Sequence, residues 1–210
     1  MSTWPPGPPG QPEPPPLDRP RRGLFGCLLE VVETLVLTVI IFFVIQTFIA
    51  QPYQVRQQSM ERTLEPGQYV LVDKLTPRWD GYKRGDVIVF EPPSGWSDGD
   101  RTPFIKRIIG VGGDEIEIRD GRVYVNGVAL AEPYVYDGQP TTAPPDRNAF
   151  TVPRGEFFVM GDHRASSADS RIFGPIPGSS IIGRAWLRYW PPEAFGILQT
   201  PVYAIGNGRG

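Results

Sequence analysis

The chain has 210 residues and a formal net charge of -2 at pH 7, so it lacks the basic field that a nucleic-acid partner requires. Its single cysteine, Cys27, excludes an internal disulfide and a cysteine-based metal site, and one histidine leaves too few imidazole ligands for a metal enzyme. The 25 prolines and 24 glycines argue against a helical bundle and for a loop-rich body.

Residues 1–23 hold Pro5, Pro6, Pro8, Pro9, Pro12, Pro14, Pro15, Pro16 and Pro20 and almost nothing able to form a core, which predicts a disordered, polyproline-like tail. Residues 24–50 are apolar apart from Glu30, Glu33 and a few uncharged polar side chains. The charge-free stretch from Thr34 to Ala50 spans about 25 Å as a helix, and the preceding turns carry it past the ~30 Å of a bilayer core. Arg19, Arg21 and Arg22 flank the entry end. The positive-inside bias therefore predicts a single-pass plasma-membrane anchor with a cytoplasmic N-terminus and the rest of the chain on the extracytoplasmic face. A cleaved signal peptide fits less well, because the preceding region is long and proline-rich and Phe48 stands where a small residue is wanted. A lipoprotein reading of Cys27 fails, since the apolar run follows the cysteine. Pro52 is expected to end the helix. The eight residues between Ala50 and Ser59 reach at most about 30 Å, which keeps Ser59 near the membrane.

Residues 51–195 read as a β-rich domain, with 196–210 as a C-terminal tail. Val70–Val72, Asp86–Phe90, Phe104–Ile109, Glu115–Arg119, Arg122–Asn126, Glu156–Met160 and Ile181–Tyr189 are short runs of β-branched and aromatic residues bounded by glycine, proline or aspartate. Ile116 and Ile118 alternate with charged residues, Asp120-Gly121 turns the chain, and Val123 and Val125 alternate again, which predicts a two-residue hairpin. No long amphipathic helix is expected after the anchor.

Two residues carry the chemical interest. Ser59 is a hydroxyl that needs a base before it can attack anything. Lys106 is an amine whose ordinary pKa of about 10.4 keeps it protonated, so it must lose about three units through burial to act as that base. In a strand over 104–109, Phe104, Lys106 and Ile108 share one face and Arg107 the other, which makes Lys106 the polar member of an apolar face. Taken alone, the segment fits an edge lysine with its head in water at least as well. A third element, Gly161 to Gly174, alternates two acids and two arginines in a loop between strands, either a solvated loop or a rigid turn holding other residues in place. His163, in that loop, is the chain's one histidine and the alternative base.

Gln58-Ser59-Met60-Glu61-Arg62-Thr63-Leu64, Gly85 to Phe90, Lys106 to Gly110 with Gly113-Asp114, and Gly161 to Gly174 resemble the four ordered boxes of bacterial type I signal peptidases, directly after an N-terminal anchor. The resemblance covers roughly residues 30–190. It implies an all-β catalytic domain, a partly open barrel or sandwich with a small β insertion at 115–155, preceded by one transmembrane helix. It implies a membrane-bound Ser–Lys endopeptidase, needing no cofactor or metal, that removes signal peptides from preproteins after a small-x-small motif, near the export translocon. By box position Ser59 matches the nucleophile, Lys106 the general base and Ser167 the hydroxyl that orients the amine. Asp162, Arg107, Asp169 and Arg171 match the supporting ion pairs. The Ser59 backbone N–H and one further donor would hold the oxyanion.

This sequence departs from that pattern at four places. Arg62 and Gly112 stand where the family usually has proline, and His163 where it has asparagine, a residue that cannot act as a base. Gln57 stands where a serine or threonine hydroxyl often completes the oxyanion hole, so its amide is the candidate second donor. The competing readings are a catalytically silent membrane-anchored β-domain, which would not need Lys106 buried, and a penicillin-recognising enzyme, whose Ser-x-x-Lys is broken by Arg62. A phosphate loop at Gly110-Val111-Gly112-Gly113 fails because no Gly-Lys-Ser or Gly-Lys-Thr follows.

Overall fold

A computed structural model describes residues 24–96 and 102–205, which fall into two compact units, one ending at Ile41 and the next beginning at Phe42. The proline-rich segment 1–23, with Arg19, Arg21 and Arg22, lies outside the described residues.

Helix α1 (Leu24–Val44) exposes its apolar side chains from Leu28 to Val44. Thr34 and Thr38 donate their hydroxyls to the carbonyls of Glu30 and Thr34, both at 2.7 Å, so these polar groups are satisfied within the helix. The span Gly26–Ile49, 24 residues with a mean hydropathy of 2.6, is long and apolar enough to cross a membrane.

The helix does not run to Pro52 as expected. A π-helical turn, Ile45–Ile49, leads into strand β1 (Ala50–Gln54), which pairs antiparallel with β2 (Tyr69–Asp73). Pro52 therefore sits within a strand. It can do so because β1 is the sheet's edge, where a residue without an N–H costs no ladder bond on the outer side.

A four-residue helix α2 (Pro77–Asp80) precedes β3 (Val87–Phe90), and β4 (Phe104–Val111) follows. Strands β5 (Glu115–Arg119), β6 (Arg122–Val125), β7 (Val128–Ala129) and β8 (Ala149–Thr151) form a separate sheet in the order β7-β6-β5-β8. Asp120 and Gly121 both have positive φ, 51° and 73°, and Arg119 pairs with Arg122, the geometry of a two-residue primed turn. The chain then returns through β9 (Glu156–Met160), helix α3 (Ser170–Phe173), β10 (Ile176–Pro177), β11 (Ile181–Trp190) and β12 (Gly196–Ile197). The main sheet runs β1-β2-β11-β3-β4-β9-β10, with β12 added on β11. The body is mostly β, as its sequence predicted.

Strand β3 is buried at every position because both of its faces are covered. Val87 and Val89 join Val70, Val72 and Met60 on one side, while Ile88 and Phe90 join Ile108, Val159 and Ile176 on the other. A third cluster contains Ile116, Ile118, Val123 and Val125 of the smaller sheet together with Ile109, Phe158 and Met160 of the main one. Residues 196–205 do not behave as the expected tail. Gly196–Ile197 pairs with β11, Thr200 donates to Asp86 at 3.2 Å, and Tyr203 is buried in the third cluster with its hydroxyl 3.1 Å from that of Tyr134.

Candidate active site

The Pro-containing edge strand β1 and the start of β4 flank a cleft of about 300 Å³. Its lining includes Tyr53, Val55, Gln57, Met60 and Ile105, and Ser59 lies at it. Ser59 occupies a single 3₁₀ turn, Gln58–Met60, and is buried. Lys106 projects from β4, and its Nζ donates to Ser59 Oγ at 2.5 Å. Strand alternation explains the aim of this side chain: Nζ lies 5.6 Å from the Phe104 ring centroid on the same face, while Arg107 goes the other way.

Only 1 % of Lys106 is exposed, which removes the reading of an edge lysine with its head in water. Burial lowers its pKa from 10.5 to about 8; the Asp169 charge opposes that shift, Arg171 adds to it, and Asp162 opposes it. The amine is therefore neutral in about a tenth of molecules at pH 7, far more often than an ordinary lysine.

Arg107, one residue along the same strand, is held from several sides. Its Nε and Nη2 donate to the two Asp162 carboxylate oxygens at 2.9 and 2.7 Å, and Nη1 donates to the Gly85 carbonyl at 2.8 Å. Thr63, on the turn after Ser59, donates its hydroxyl to Asp162 at 2.5 Å and accepts from Arg107 at 3.2 Å. The guanidinium also lies 4.1 Å from the Tyr134 ring centroid. The 107–162 pair thus ties β4, the 161–174 loop and the Ser59 turn together.

Asp169 organises the other half of that loop. It accepts from the Gly161 N–H at 3.1 Å and from Arg171 Nε and Nη2 at 2.8 and 2.9 Å, and it caps α3. Ser167 differs from its expected role. Its hydroxyl donates to Asp169 Oδ2 at 2.7 Å, and among the described residues the one hydrogen-bond partner of the Lys106 amine is Ser59. Ser167 nevertheless borders the site, across Gly161. A Cβ at Gly161 would stand 2.4 Å from both Ser167 Oγ and the Ser59 carbonyl, so this position accepts only glycine.

Gln57 lies exposed in extended conformation at the cleft, and its amide makes no hydrogen bond among the described residues. The ring nitrogens of His163 meet Glu61 and Ser166, while the Ser59 hydroxyl meets Lys106. His163 Nδ1 lies 2.6 Å from Glu61 Oε2 and the ring stacks on Tyr136. Sequence reasoning passed over Thr63, Gly161 and the buried pair of Arg164 with Glu132, in which Nη2 donates at 2.5 Å. Arg164 also donates to the Gly161 carbonyl at 3.0 Å and to Thr141. The arginine stood in the charged loop, but nothing in its spacing pointed to a carboxylate 32 residues earlier.

Residues 28–190 match the family model described as signal peptidase, peptidase S26. The chain is 36% identical to signal peptidase I of Leptolyngbya laminosa over 83% of its length and 85% of that protein. It is 32% identical to signal peptidase IB of Staphylococcus aureus strain MRSA252, over 83% of this chain and 95% of that one. A crystal structure of a signal peptidase I from Enterococcus faecalis is 33% identical, covers 49% of this chain and 95% of its own, and superposes with a TM-score of 0.40.

Proposed function

The chain belongs to the S26 signal peptidase family of serine endopeptidases, and on that footing we propose that it removes signal peptides with Ser59 as nucleophile and Lys106 as general base. The observation that carries this reading is the 2.5 Å contact between Lys106 Nζ and Ser59 Oγ, both buried. A catalytically silent domain would have no use for an amine held out of water at that cost.

In the proposed reaction, neutral Lys106 takes the Ser59 proton as Oγ bonds to the carbonyl carbon of the residue before the cut. The resulting ammonium returns the proton to the leaving amine as the C–N bond breaks, leaving an ester on Ser59. Water then attacks the ester, with Lys106 again accepting and returning a proton. Arg107–Asp162 and Arg171–Asp169 act on this chemistry indirectly, by fixing the strand and loop that meet at Ser59. Ser167 supports the Lys106 site through Asp169.

The substrate enters as an extended peptide beside the free edge of β1, where backbone pairing gives affinity and alternate side chains enter the cleft. Val55, Met60 and Ile105 give the cleft apolar lining, and the small-x-small motif is what the family resemblance implies for the side chains that enter it. The apolar span Gly26–Ile49 anchors the enzyme in the plasma membrane, N-terminus in the cytoplasm and body outside, within reach of chains leaving the translocon.

Detergent-solubilised protein incubated with a preprotein bearing an Ala-x-Ala site is expected to cut once, after the second alanine, and Ser59→Ala is expected to leave it whole. A cut elsewhere, or cleavage by the Ser59→Ala protein, would overturn the proposal. A second expectation concerns the oxyanion. Ser59 lies in the first turn of its short helix, where N–H groups lack helical acceptors, and Gln57 offers the neighbouring side-chain donor. Gln57→Ala should lower kcat by about a hundredfold with little change in KM. Gln57→Ser should restore part of it. An unchanged kcat in the alanine variant would place the second donor elsewhere.

A further inference from the structure

The turn that carries Ser59 is held by its own backbone bonds, Glu61 N–H to the Gln58 carbonyl at 3.0 Å and Leu64 N–H to the Met60 carbonyl at 2.7 Å, and by contacts from outside it. Arg62 has a φ of 80°, a left-handed conformation that costs energy in a residue with a side chain, and that no proline could adopt. Its N–H donates to Glu65 Oε1 at 3.1 Å and its Nη1 to the Val135 carbonyl at 3.1 Å, so the turn is restrained by contacts outside the residues that form it.

His163 makes contact with the turn at two points. Its backbone N–H donates to the Ser59 carbonyl at 3.0 Å, and its Nδ1 lies 2.6 Å from Glu61 Oε2. A carboxylate only accepts, so Nδ1 donates to Glu61, and Nε2 lies 3.3 Å from Ser166 Oγ. The imidazole stacks on Tyr136 with ring centroids 4.3 Å apart and planes 23° apart, and Tyr136 N–H is fixed to the Asp162 carbonyl at 3.0 Å. Both partners are largely removed from water, with His163 13% and Glu61 17% exposed at the side chain, where a charge-assisted bond is stronger than at an open surface.

We infer that Glu61 and His163 form a clamp that positions the Ser59 hydroxyl toward Lys106, an inference that rests on the Ser59–Lys106 reading above. Neither residue lines the cleft, so the clamp acts on the alignment of the nucleophile and leaves substrate binding alone. It also gives a use to the histidine that stands where the family has asparagine. Asparagine Nδ2 and histidine Nδ1 are both bonded to Cγ, so either side chain can present an N–H to Glu61 from the same place.

Kinetics on the preprotein substrate test this. Misplacing a reacting group by about 1 Å costs up to about a hundredfold in rate. His163→Ala and Glu61→Ala should each lower kcat by about tenfold or more, with KM within about twofold of wild type. The double variant should be no slower than either single one, because both remove the same contact. His163→Asn should recover most of kcat. The pH at which the rate is half-maximal should not move in any of them, since Lys106 stays buried. A folded His163→Ala protein with wild-type kcat, losses that multiply in the double variant, or a loss expressed in KM would each overturn the clamp. Should His163→Ala not fold, Glu61→Ala, at the more exposed partner, decides the question alone. Ser59→Ala and Lys106→Ala run alongside: if either cuts, the Ser–Lys reading itself fails, whereas if both are dead and Glu61→Ala is fully active, only the clamp does.

Discussion

Lys106→Ala, Lys106→Arg and Lys106→Met are each expected to lose nearly all turnover, a fall of about 10⁴-fold or more if Lys106 is the base that activates Ser59. Arginine fails although it keeps the charge and much of the length, because its pKa above about 12 leaves no neutral form to accept the serine proton. The wild-type rate should rise with pH through about 8, the value to which burial brings the Lys106 amine. A group that must be deprotonated to work is active above its pKa, so activity persists in alkaline buffer and falls as the pH drops below that value. Since the rise belongs to Lys106 and not to His163, it should be unmoved in His163→Asn. A correctly folded Lys106→Ala protein that still cuts, or a rise that moves or vanishes with His163→Asn, would contradict the assignment.

The same buried amine has a consequence for stability. The unfolded chain keeps this proton up to about 10.5 and the folded chain only up to about 8. Between those values the unfolded state binds more protons, so this group makes the fold more stable as pH rises across that window. Below it the amine is charged within an apolar face and its burial penalises folding in full. Lys106→Met should therefore be inactive yet more stable than wild type near neutral pH. A midpoint of urea unfolding no higher than that of the parent would count against a strongly desolvated amine.

Asp162→Ala is expected to be among the most destabilising single changes in the body, by about 3–5 kcal/mol, because it leaves the Arg107 guanidinium buried without its counter-charge. Arg107 and Asp162 expose 2% and 0% of their side chains, so water cannot take over the lost bonds. Thr63 loses its acceptor at the same time, and with it the tie between the Ser59 turn and the loop. Removing both charges should be milder: an Arg107→Met/Asp162→Leu protein should recover much of the lost stability, since it is the unpaired charge that costs most. Activity should not return with it, because the tie from Thr63 stays broken. Urea unfolding of the three proteins checks this, and a loss below about 1 kcal/mol in Asp162→Ala would show that the guanidinium finds other partners.

Parts of this molecule are written in short stretches of chain. The helix from Gly26 to Ile49, long and apolar enough to cross a membrane, is legible because length and apolarity are properties of the local sequence. The β5–β6 hairpin is legible because alternation and the Asp120-Gly121 turn act over a dozen residues. The placement of Lys106 and Arg107 on opposite faces follows from the two-residue period of a strand. The four boxes carry the family because their order and spacing are themselves sequence.

Other features depended on partners far along the chain. Ala50–Gln54 has no alternating pattern and contains a proline, and it is a strand because β2 supplies a partner on one side while, among the described residues, no strand occupies the other. Residues 196–205 look like a tail until Tyr203 packs beside Tyr134 in the third cluster. The bond from Ser167 to Asp169, that from His163 to Glu61 and that from Arg164 to Glu132 are choices among several acceptors of similar chemistry. Local pattern names the residues able to donate and accept. Which donor meets which acceptor is decided when strands distant in sequence are brought side by side, since hydrogen bonds and ion pairs act over only a few ångströms and their desolvation depends on everything packed around them.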